Sequence, residues 1–295
     1  MGYSSVYLQK GSIMKIKNVL SLFDGISCGQ LALKRSGIKY EKYYSSEIDK
    51  FAITITQKNF PKTIQLGDIN NYKEWNLPNI DLLIGGSPCQ NLSTAYSKNT
   101  GLYGEKSILF FKFVEIMNLV KPKYFLFENV NSMSMKNRNI ISSYLGVEPI
   151  MLDSSLVSGQ SRKRLYWTNI PIILPLIDKH IMLRDVMDEH EWRDLSKWCF
   201  GYYGKVQRKS MMSDYYGKMR TLTTKNIHPS MYVLKDNKMC TLTPIEFERL
   251  QTLDENYTYG IPNTERFKTI GNGWTVDIIK YIFDNLKIEI ERNNI

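Results

Sequence analysis

The stretch Asp81-Leu-Leu-Ile-Gly-Gly-Ser-Pro-Cys89-Gln90 decides the fold. Its apolar run is typical of a buried parallel strand, and two glycines follow where that strand would end. The Ser-Pro pair stiffens the turn that presents the thiol of Cys89. Parallel α/β sheets bind their ligands at the carboxyl ends of the strands. The segment therefore predicts a nucleophilic cysteine at that edge of a sheet.

Strand and helix patterns alternate through the first half of the chain. The run 18–23 predicts a buried strand, and a helix follows from about Gly29 to Ser36 and ends at Gly37. Further strands are predicted at 42–47, 63–66, 80–84 and 124–127, and further helices at 49–58 and 107–120. This alternation predicts an α/β fold with a doubly wound, mainly parallel sheet.

The pattern changes after about Thr168. Residues 170–240 contain short segments, scattered prolines and glycines and many aromatic residues, which favours a second, smaller and irregular domain. A short amphipathic helix is predicted from Ile245 to about Leu250, and a last helix from about Val276 onwards to 290. Residues 1–13 are interpreted as a flexible N-terminal extension.

Charge and cysteine content limit the partners. The 295 residues carry a net charge of +10, which favours an anionic partner, nucleic acid before membrane, although a generally basic protein has the same balance. The four cysteines show no CxxC spacing, so we expect neither disulfides nor a metal site. We expect a cytoplasmic location for the same reason. No apolar run reaches the ~20 residues of a membrane span.

Three successive strand ends carry residues suited to a nucleotide. Phe23-Asp-Gly-Ile-Ser-Cys-Gly29 is a glycine-rich turn between a strand and a helix, where a ligand can approach the backbone. Glu47 ends the second strand, where an acid can bind ribose hydroxyls, and Asp68 follows the third. Together they predict an adenosine-containing cofactor; ordinary turn glycines and solvated acids are the alternative. The spacing does not separate a nicotinamide dinucleotide from S-adenosylmethionine.

Two further segments carry charged groups that suit the chemistry of a thiol. Glu128 ends the fifth predicted strand, next to the strand of Cys89, and could serve as an acid or hydrogen-bond donor. Arg162 and Arg164 are two residues apart, so on a strand they share a face. Two guanidinium groups near Cys89 would favour its thiolate. The alternative for 160–164 is a solvated basic run.

In this order the motifs resemble those of the C5-cytosine DNA methyltransferase family, over nearly all of the chain from about Asn18. The matching motifs are Ser87-Pro-Cys-Gln90, Glu128-Asn-Val130, Gln160-x-Arg-x-Arg164, Arg249-Leu-Gln251 and Ile270-Gly-Asn-Gly273. The cofactor turn departs from the common Phe-x-Gly-x-Gly-Gly. That turn, with 85–89, 126–130 and 220–224, is similar to the catalytic domains of animal de novo cytosine methyltransferases.

The resemblance implies a fold and a domain plan. The fold is a Rossmann-like S-adenosylmethionine-dependent methyltransferase sheet, mainly parallel with an antiparallel hairpin, plus a small irregular target-recognition domain. The catalytic and cofactor-binding domain would be discontinuous, with residues 14–168 and 268–295 on either side of a recognition domain at 169–267. S-adenosylmethionine is then the implied cofactor, and double-stranded DNA is the implied partner.

The resemblance also implies a mechanism. Cys89 adds to C6 of a cytosine that has been flipped out of the duplex, while Glu128 hydrogen-bonds or protonates N3. Arg164 contacts the base at O2, and Arg162 supports the nucleophile loop. C5 then accepts the methyl group. The implied cofactor-binding residues are Phe23, Asp24, Gly25, Ile26, Ser27, Cys28, Gly29, Glu47, Ile48, Asp68, Ile69, Pro88, Asn272, Gly273 and Trp274.

A basic and aromatic segment, 197–225, is interpreted as the region that recognises DNA. Lysine and arginine bind phosphates, and aromatic or arginine side chains contact bases. A basic surface loop over a small aromatic core is the alternative. The predicted DNA-binding residues are Gln90, Ser93, Gln160, Lys205, Arg208, Lys209, Arg220, Thr223 and Thr224.

Three other functions share parts of this pattern. A tRNA methyltransferase would keep the fold, but the Cys-Phe-Thr tripeptide associated with that branch of the family is absent. A catalytically silent DNA-binding protein would have no need for Cys89 and its charged partners. A nicotinamide-dependent dehydrogenase would leave the later motifs unexplained. For the methyltransferase we expect a monomer without a membrane or metal partner. We expect it to act in restriction–modification, in phage DNA modification or as an orphan enzyme. In restriction–modification, a cognate restriction endonuclease would be its genetic partner.

Overall fold

A computed structural model describes residues 15–88, 108–194, 212–222 and 232–293. Seven strands form the large sheet. In chain order they are Asn18–Leu22 (β1), Lys42–Ser46 (β2), Ile64–Gln65 (β3), Leu82–Gly85 (β4), Tyr124–Val130 (β5), Ile150–Asp153 (β6) and Lys163–Thr168 (β7). Their order across the sheet is β3-β2-β1-β4-β5-β7-β6, and β1 to β5 are all parallel. The predicted parallel sheet is confirmed.

Helices cover both faces of this sheet. They are Cys28–Ser36 (α1), Lys50–Asn59 (α2), Ile108–Val120 (α3), Met135–Leu145 (α4), Pro244–Leu250 (α5), Asn263–Asn272 (α6) and Val276–Arg292 (α7). Side chains alternate between the faces along each strand. In β4, Leu82 and Ile84 pack into the core beneath α1, α2 and α7, while Leu83 packs into the core beneath α3 and α4. Burial on both faces explains why the strands are apolar throughout.

One strand near the edge of the sheet breaks the parallel order. Strand β7 runs antiparallel to both β5 and β6, so β6 and β7 form the expected antiparallel hairpin. This arrangement places the end of β5, with Glu128, directly opposite Tyr166, and Val130 opposite Arg164. The sheet pairing therefore brings the Glu-Asn-Val motif beside the Gln-x-Arg-x-Arg motif.

A second, four-stranded sheet lies in the region where the sequence predicted irregular structure. Its strands are Arg193–Asp194 (β8), Ser213–Asp214 (β9), Tyr232–Lys235 (β10) and Lys238–Thr241 (β11), in the order β8-β11-β10-β9. Asp236 and Asn237, at the turn between β10 and β11, both have positive φ, as a tight hairpin requires. Val233 and Leu222 share one hydrophobic core with β1. The domain boundaries stay predictions.

Two helices were not predicted. Helix α4 begins after Ser134, whose hydroxyl accepts from the amide of Asn137, and ends at Gly146 with φ 71°. Helix α6 contains the Gly-Asn motif and has only a few buried positions. Both helices are polar along much of their length, so the apolar spacing that identifies longer helices is weak. The predicted N-terminal extension, 1–13, lies outside the described residues. Within the described ranges, no helix is both long and apolar enough to cross a membrane.

A buried polar network joins the last helices to the β6–β7 region. The side-chain amide of Gln251 donates to the carbonyls of Ile270 (3.0 Å) and Gly273 (2.9 Å). Its oxygen accepts from Gln160 (3.1 Å) and from the hydroxyl of Thr275 (2.7 Å). Gln160 and Gln251 are fully buried. Every polar atom of the Gln251 amide is therefore satisfied inside the core.

We expect Gln251→Leu to lower the free energy of unfolding by ~2–4 kcal/mol, because the substitution removes four buried hydrogen bonds at once. Denaturant unfolding measures the change. Gln57→Leu is the matched control: Gln57 is half-buried and makes a single bond, to the carbonyl of Thr63 (3.0 Å), so its loss should cost ~1 kcal/mol. Equal losses in the two variants would contradict the role of the network.

Candidate active site

A cavity of about 870 Å³ opens at the carboxyl edge of the parallel strands. It lies where β1 and β4 are neighbours although the chain continues from them toward opposite edges of the sheet. Doubly wound sheets bind their ligands at this position. The turns after β1, β2, β4 and β5 all contribute to its wall, together with residues 161–164 and 271–274.

The glycine-rich turn after β1 is held by an internal set of hydrogen bonds. The carboxyl group of Asp24 accepts from the hydroxyls of Tyr43 (2.8 Å), Ser45 (3.0 Å) and Ser27. Burial raises the pKa of Asp24, and the hydroxyl donors partly oppose that shift. Phe23, Gly25 and Ser27 all have φ near +57°, a conformation that is costly outside glycine. Asp24 therefore organises the turn whose backbone faces the cavity.

Cys28 lies in the cofactor turn but is a structural thiol. Its side chain is only 2% exposed, and burial raises its pKa to about 12. A Cβ on Gly273 would lie 3.1 Å from its sulfur, so the two motifs at the ends of the chain pack closely here. A protonated, enclosed thiol is a poor nucleophile. Cys89, identified by its sequence motif, stays the predicted reactive cysteine.

Glu47 connects the second strand to the cofactor turn. One carboxylate oxygen accepts from the amide of Gly25 (2.8 Å), and the other from the amides of Ile48 (2.8 Å) and Asp49 (2.9 Å). The Ile48 side chain is 73% exposed beside the cavity. Asp68 caps the 3₁₀ helix that starts at Ile69, through the amide of Asn70. These residues form a wall with carboxylates and an exposed apolar side chain.

The end of β4 is tied to the end of β5. The side-chain amide of Asn129 donates to the carbonyl and the hydroxyl of Ser87, both at 3.3 Å, and its oxygen accepts from the amide of Val130 (2.8 Å). Ser87 and Asn129 are buried. Pro88, which also lines the cavity, is the last described residue of this loop. Asn129 thus fixes the chain two residues before Cys89, which itself lies outside the described residues.

Both carboxylate oxygens of Glu128 are bound by side chains that line the cavity. Its Oε1 is 3.0 Å from Nε of Arg164, and its Oε2 accepts from the indole nitrogen of Trp274 at 3.0 Å. All three side chains line the cavity. The structure thus brings together the predicted acid, one predicted arginine and a predicted cofactor residue. In this structure Arg164 pairs with the carboxylate.

Arg162 is buried and binds main-chain carbonyls. Its guanidinium donates to Leu222 (3.3 Å), Gly271 (3.2 Å) and Gly273 (3.1 Å). It therefore joins the 219–222 segment to the Gly-Asn motif. Asn272, between the two glycines, is exposed and lines the cavity. The predicted support of the nucleophile loop by Arg162 concerns a loop outside the described ranges and stays a prediction.

The placement of Gln160 does not fit the prediction that it contacts DNA. Its side chain is fully buried, and its amide donates to Leu250 (3.1 Å) and Gln251 and accepts from the amide of Leu222 (2.9 Å). Lys218, one of the basic residues of the predicted recognition segment, is likewise occupied, because its ammonium group donates to three main-chain carbonyls. Both residues hold the fold together.

Arg220 is the one predicted DNA-binding residue that the structure describes and leaves exposed. The other seven lie outside the described residues: Gln90, Ser93, Lys205, Arg208, Lys209, Thr223 and Thr224. Near β10, the Lys235 ammonium lies 4.5 Å from the ring centre of Tyr215 and 5.4 Å from that of Trp192. Tyr215 therefore belongs to a small cluster with Trp192 and Lys235.

Tyr257 is a contributor that sequence reasoning missed. Its buried hydroxyl donates to the carbonyl of Ile26 (2.7 Å), so it holds the cofactor turn from a segment 231 residues away. No local motif surrounds it, and only the tertiary structure shows this contact. Across the residues described, no cluster of three or more histidine, cysteine or acidic side chains could hold a metal ion.

The sequence matches proteins of phages and bacteria that are named as methyltransferases. "Orphan methyltransferase M.SPRI" of Bacillus phage SPR is 34% identical over 160 residues, which cover 50% of this chain and 36% of that protein. A second phage methyltransferase, of Bacillus phage rho11s, is matched over 32% of its length. "Type II methyltransferase M1.ScrFI" of Lactococcus lactis subsp. cremoris is 26% identical, and the match covers 93% of this chain and 79% of that protein. The alignments with the two phage proteins thus span about a third of their lengths.

Solved structures share the fold. The Entamoeba histolytica methyltransferase EhMeth superposes with a TM-score of 0.70 at 17% identity, covering 94% of this chain and 99% of that one. The S. pombe Dnmt2 methyltransferase gives a TM-score of 0.67 at 15% identity, covering 92% and 99%. At these identities the likeness concerns the fold alone.

The family model described as "C-5 cytosine-specific DNA methylase" matches residues 17–170 and 176–288. The match includes every motif that surrounds the cavity, from the cofactor turn to Trp274. The chain therefore belongs to the C-5 cytosine-specific DNA methylase family.

Proposed function

We propose that the protein is a DNA (cytosine-5)-methyltransferase that transfers a methyl group from S-adenosylmethionine to C5 of a flipped cytosine in a short duplex sequence. The arrangement of Glu128 carries this proposal. Its carboxylate, bound by Arg164 and Trp274, shares one cavity with Pro88, which precedes Cys89, and with the glycine-rich turn. An acid, an arginine and a nucleophile loop around one cavity suit the activation of a pyrimidine ring. Family membership excludes the dehydrogenase alternative.

The cavity wall fits S-adenosylmethionine. Gly25 has φ +58°, and a Cβ built there meets no atom within 4 Å, so the turn leaves open space for a ligand against its backbone. Exposed Ile48 offers an apolar surface for an adenine ring, and Phe23 lines the same cavity. The carboxylate of Glu47 is an acceptor for ribose hydroxyls, and that of Asp68 is an acceptor for the edge of an adenine ring. The predicted cofactor residues Ile26, Asn272 and Gly273 line the same cavity.

The protein's own residues would activate the base. Cys89 forms a bond from sulfur to C6, and the electrons of the C5–C6 double bond move to C5. Glu128, with its carboxyl group protonated, donates a hydrogen bond or its proton to N3, which stabilises the charge that develops on the ring. Arg164 turns from Glu128 toward O2 of the base. S-adenosylmethionine, when bound, supplies the methyl group that C5 takes up. The C5 proton then passes to water, the C5–C6 double bond forms again as the Cys89 sulfur leaves C6 as a thiolate, and N3 returns its proton to Glu128.

Recognition of DNA would come from the basic segment and from Arg220. Flipping a base costs a few kcal/mol, so favourable contacts to phosphates must offset that cost. Arg208 and Lys209 are two candidates, and Lys205, Thr223 and Thr224 are others, beside Gln90 and Ser93 of the nucleophile loop. The related proteins named as type II and orphan methyltransferases support a role in restriction–modification or in phage DNA modification. A cognate restriction endonuclease, a monomeric state and action on DNA in the cytoplasm belong to this proposal.

The direct test is methyl transfer. The protein is incubated with S-adenosylmethionine that carries a labelled methyl group and with unmethylated duplex DNA of high sequence complexity, and tRNA is offered in a parallel reaction. We expect label on C5 of cytosine at a fixed DNA sequence. Label in tRNA alone, or in neither nucleic acid, would contradict the proposal.

Cys89→Ser should abolish methyl transfer, because a serine hydroxyl is a far weaker nucleophile than a thiolate. Binding of S-adenosylmethionine, followed by calorimetry, should stay within about twofold of wild type. Cys240→Ser is the control: Cys240 is buried in the second sheet and is not part of the cavity, so transfer should persist. Transfer by the Cys89 variant at the wild-type rate would show that the nucleophile is another residue.

Reversing the charges of Arg208 and Lys209 to glutamate should weaken binding to duplex DNA and make the salt dependence of binding less steep, since each lost phosphate contact removes about 0.9 from the slope. Titration of DNA binding at several salt concentrations measures both effects. The control reverses Lys39 and Lys287, two exposed lysines that do not line the cavity. An unchanged affinity and slope in the first variant would remove these residues from the interface.

A further inference from the structure

The two oxygens of the Glu128 carboxylate are held by residues that are far apart in the sequence. Arg164, at the start of β7, lies 3.0 Å from Oε1 through its Nε. Trp274, just before α7, donates its indole N–H to Oε2 at 3.0 Å. With both oxygens bound, the carboxyl group cannot rotate without breaking a hydrogen bond to a charged group, which is stronger than one between neutral groups.

Gly86, in the loop that leads to Cys89, makes room for this contact. A Cβ at position 86 would lie 2.7 Å from Oε2 of Glu128 and 3.2 Å from the indole nitrogen of Trp274. The first distance is shorter than real Cβ contacts, so any side chain here would displace the carboxylate or the indole. A side chain at position 86 would therefore move Oε2 from the position in which it accepts from Trp274.

We propose that Trp274, packed over Gly86, is a positioning residue for Glu128 and acts in the activation of cytosine, separately from any contact that its ring makes with the cofactor. This inference rests on the proposed function. The indole holds Oε2 and so sets the plane of the carboxyl group that must meet N3. Wall residues such as Phe23 line the cavity as well, but Trp274 also bonds the acid.

A reaction that omits the cofactor separates the two roles. Addition of the Cys89 sulfur to C6, with N3 hydrogen-bonded to Glu128, makes C5 nucleophilic. C5 then takes a proton from water, and its original hydrogen leaves as a proton when the sulfur–C6 bond breaks. DNA with tritium at C5 of cytosine will therefore release tritium to water without S-adenosylmethionine. This release reports on the activation of cytosine without any contribution from the cofactor.

We expect Trp274→Phe to keep an aromatic ring in the cavity and to lower the cofactor-free rate of tritium release by about tenfold or more, the effect of losing a hydrogen bond to a charged group. Gly86→Ala should lower the rate similarly by displacing Oε2. The matched control is Trp75→Phe: the buried indole N–H of Trp75 has no hydrogen-bond partner among the described residues, and Trp75 does not line the cavity. That variant should release tritium at the wild-type rate. Thermal unfolding of each variant checks that it is folded.

The outcomes separate the two claims. Equal release by wild type and Trp274→Phe would overturn the positioning role, even if the affinity for S-adenosylmethionine fell. A loss in Trp274→Phe that Trp75→Phe shared would also overturn it, because the effect would then follow from any change of tryptophan. No release by the wild-type protein would contradict the proposed function and the inference together.

Discussion

Strands β1 and β4 lie side by side and parallel, yet the chain continues from them toward opposite edges of the sheet. Their following turns diverge, and the space between them is the cavity. The glycine-rich turn after β1 forms one wall, and the Gly86–Pro88 loop forms the next. Because β5 pairs with β4, Glu128 arrives at the same edge. The positions of the glycine-rich turn, of residues 86–88 and of Glu128 thus follow from these strand pairings.

Arg164 reaches the cavity because its strand, β7, does not follow the parallel order of the sheet. Strand β7 is antiparallel, so its first residues, and not its last, lie at the carboxyl edge of β5. The Gly-Asn motif arrives by tertiary contact, held by Arg162 and by the amide of Gln251. These buried polar contacts explain why motifs far apart in the sequence meet at one site. They also fix the position of Trp274, because Trp274 directly follows Gly273, whose carbonyl accepts from Arg162 and Gln251.

Much of the architecture could be predicted from the sequence, because apolar strands and capped helices leave local signals. Gly37 ended α1 as expected, and β4 ended at the expected glycines. The predicted cofactor and catalytic side chains that the structure describes lie around or directly behind one cavity. The structural roles of Gln160 and Lys218 were not predictable, because their polarity suggested a surface role. Their partners are main-chain carbonyls and a glutamine that lie far away in the sequence, so no local sequence pattern indicates these contacts.

The central claim is that Cys89 bonds to C6 of cytosine while Glu128 holds the ring. The most direct measurement is the mass of the protein after reaction with S-adenosylmethionine and duplex DNA that contains 5-fluorocytosine, followed by peptide mapping. Fluorine cannot leave C5 as a proton does, so the enzyme should stay joined to the base. The account predicts a covalent adduct on the peptide that carries Cys89. An adduct on another residue, or none on DNA that is otherwise methylated, would contradict it.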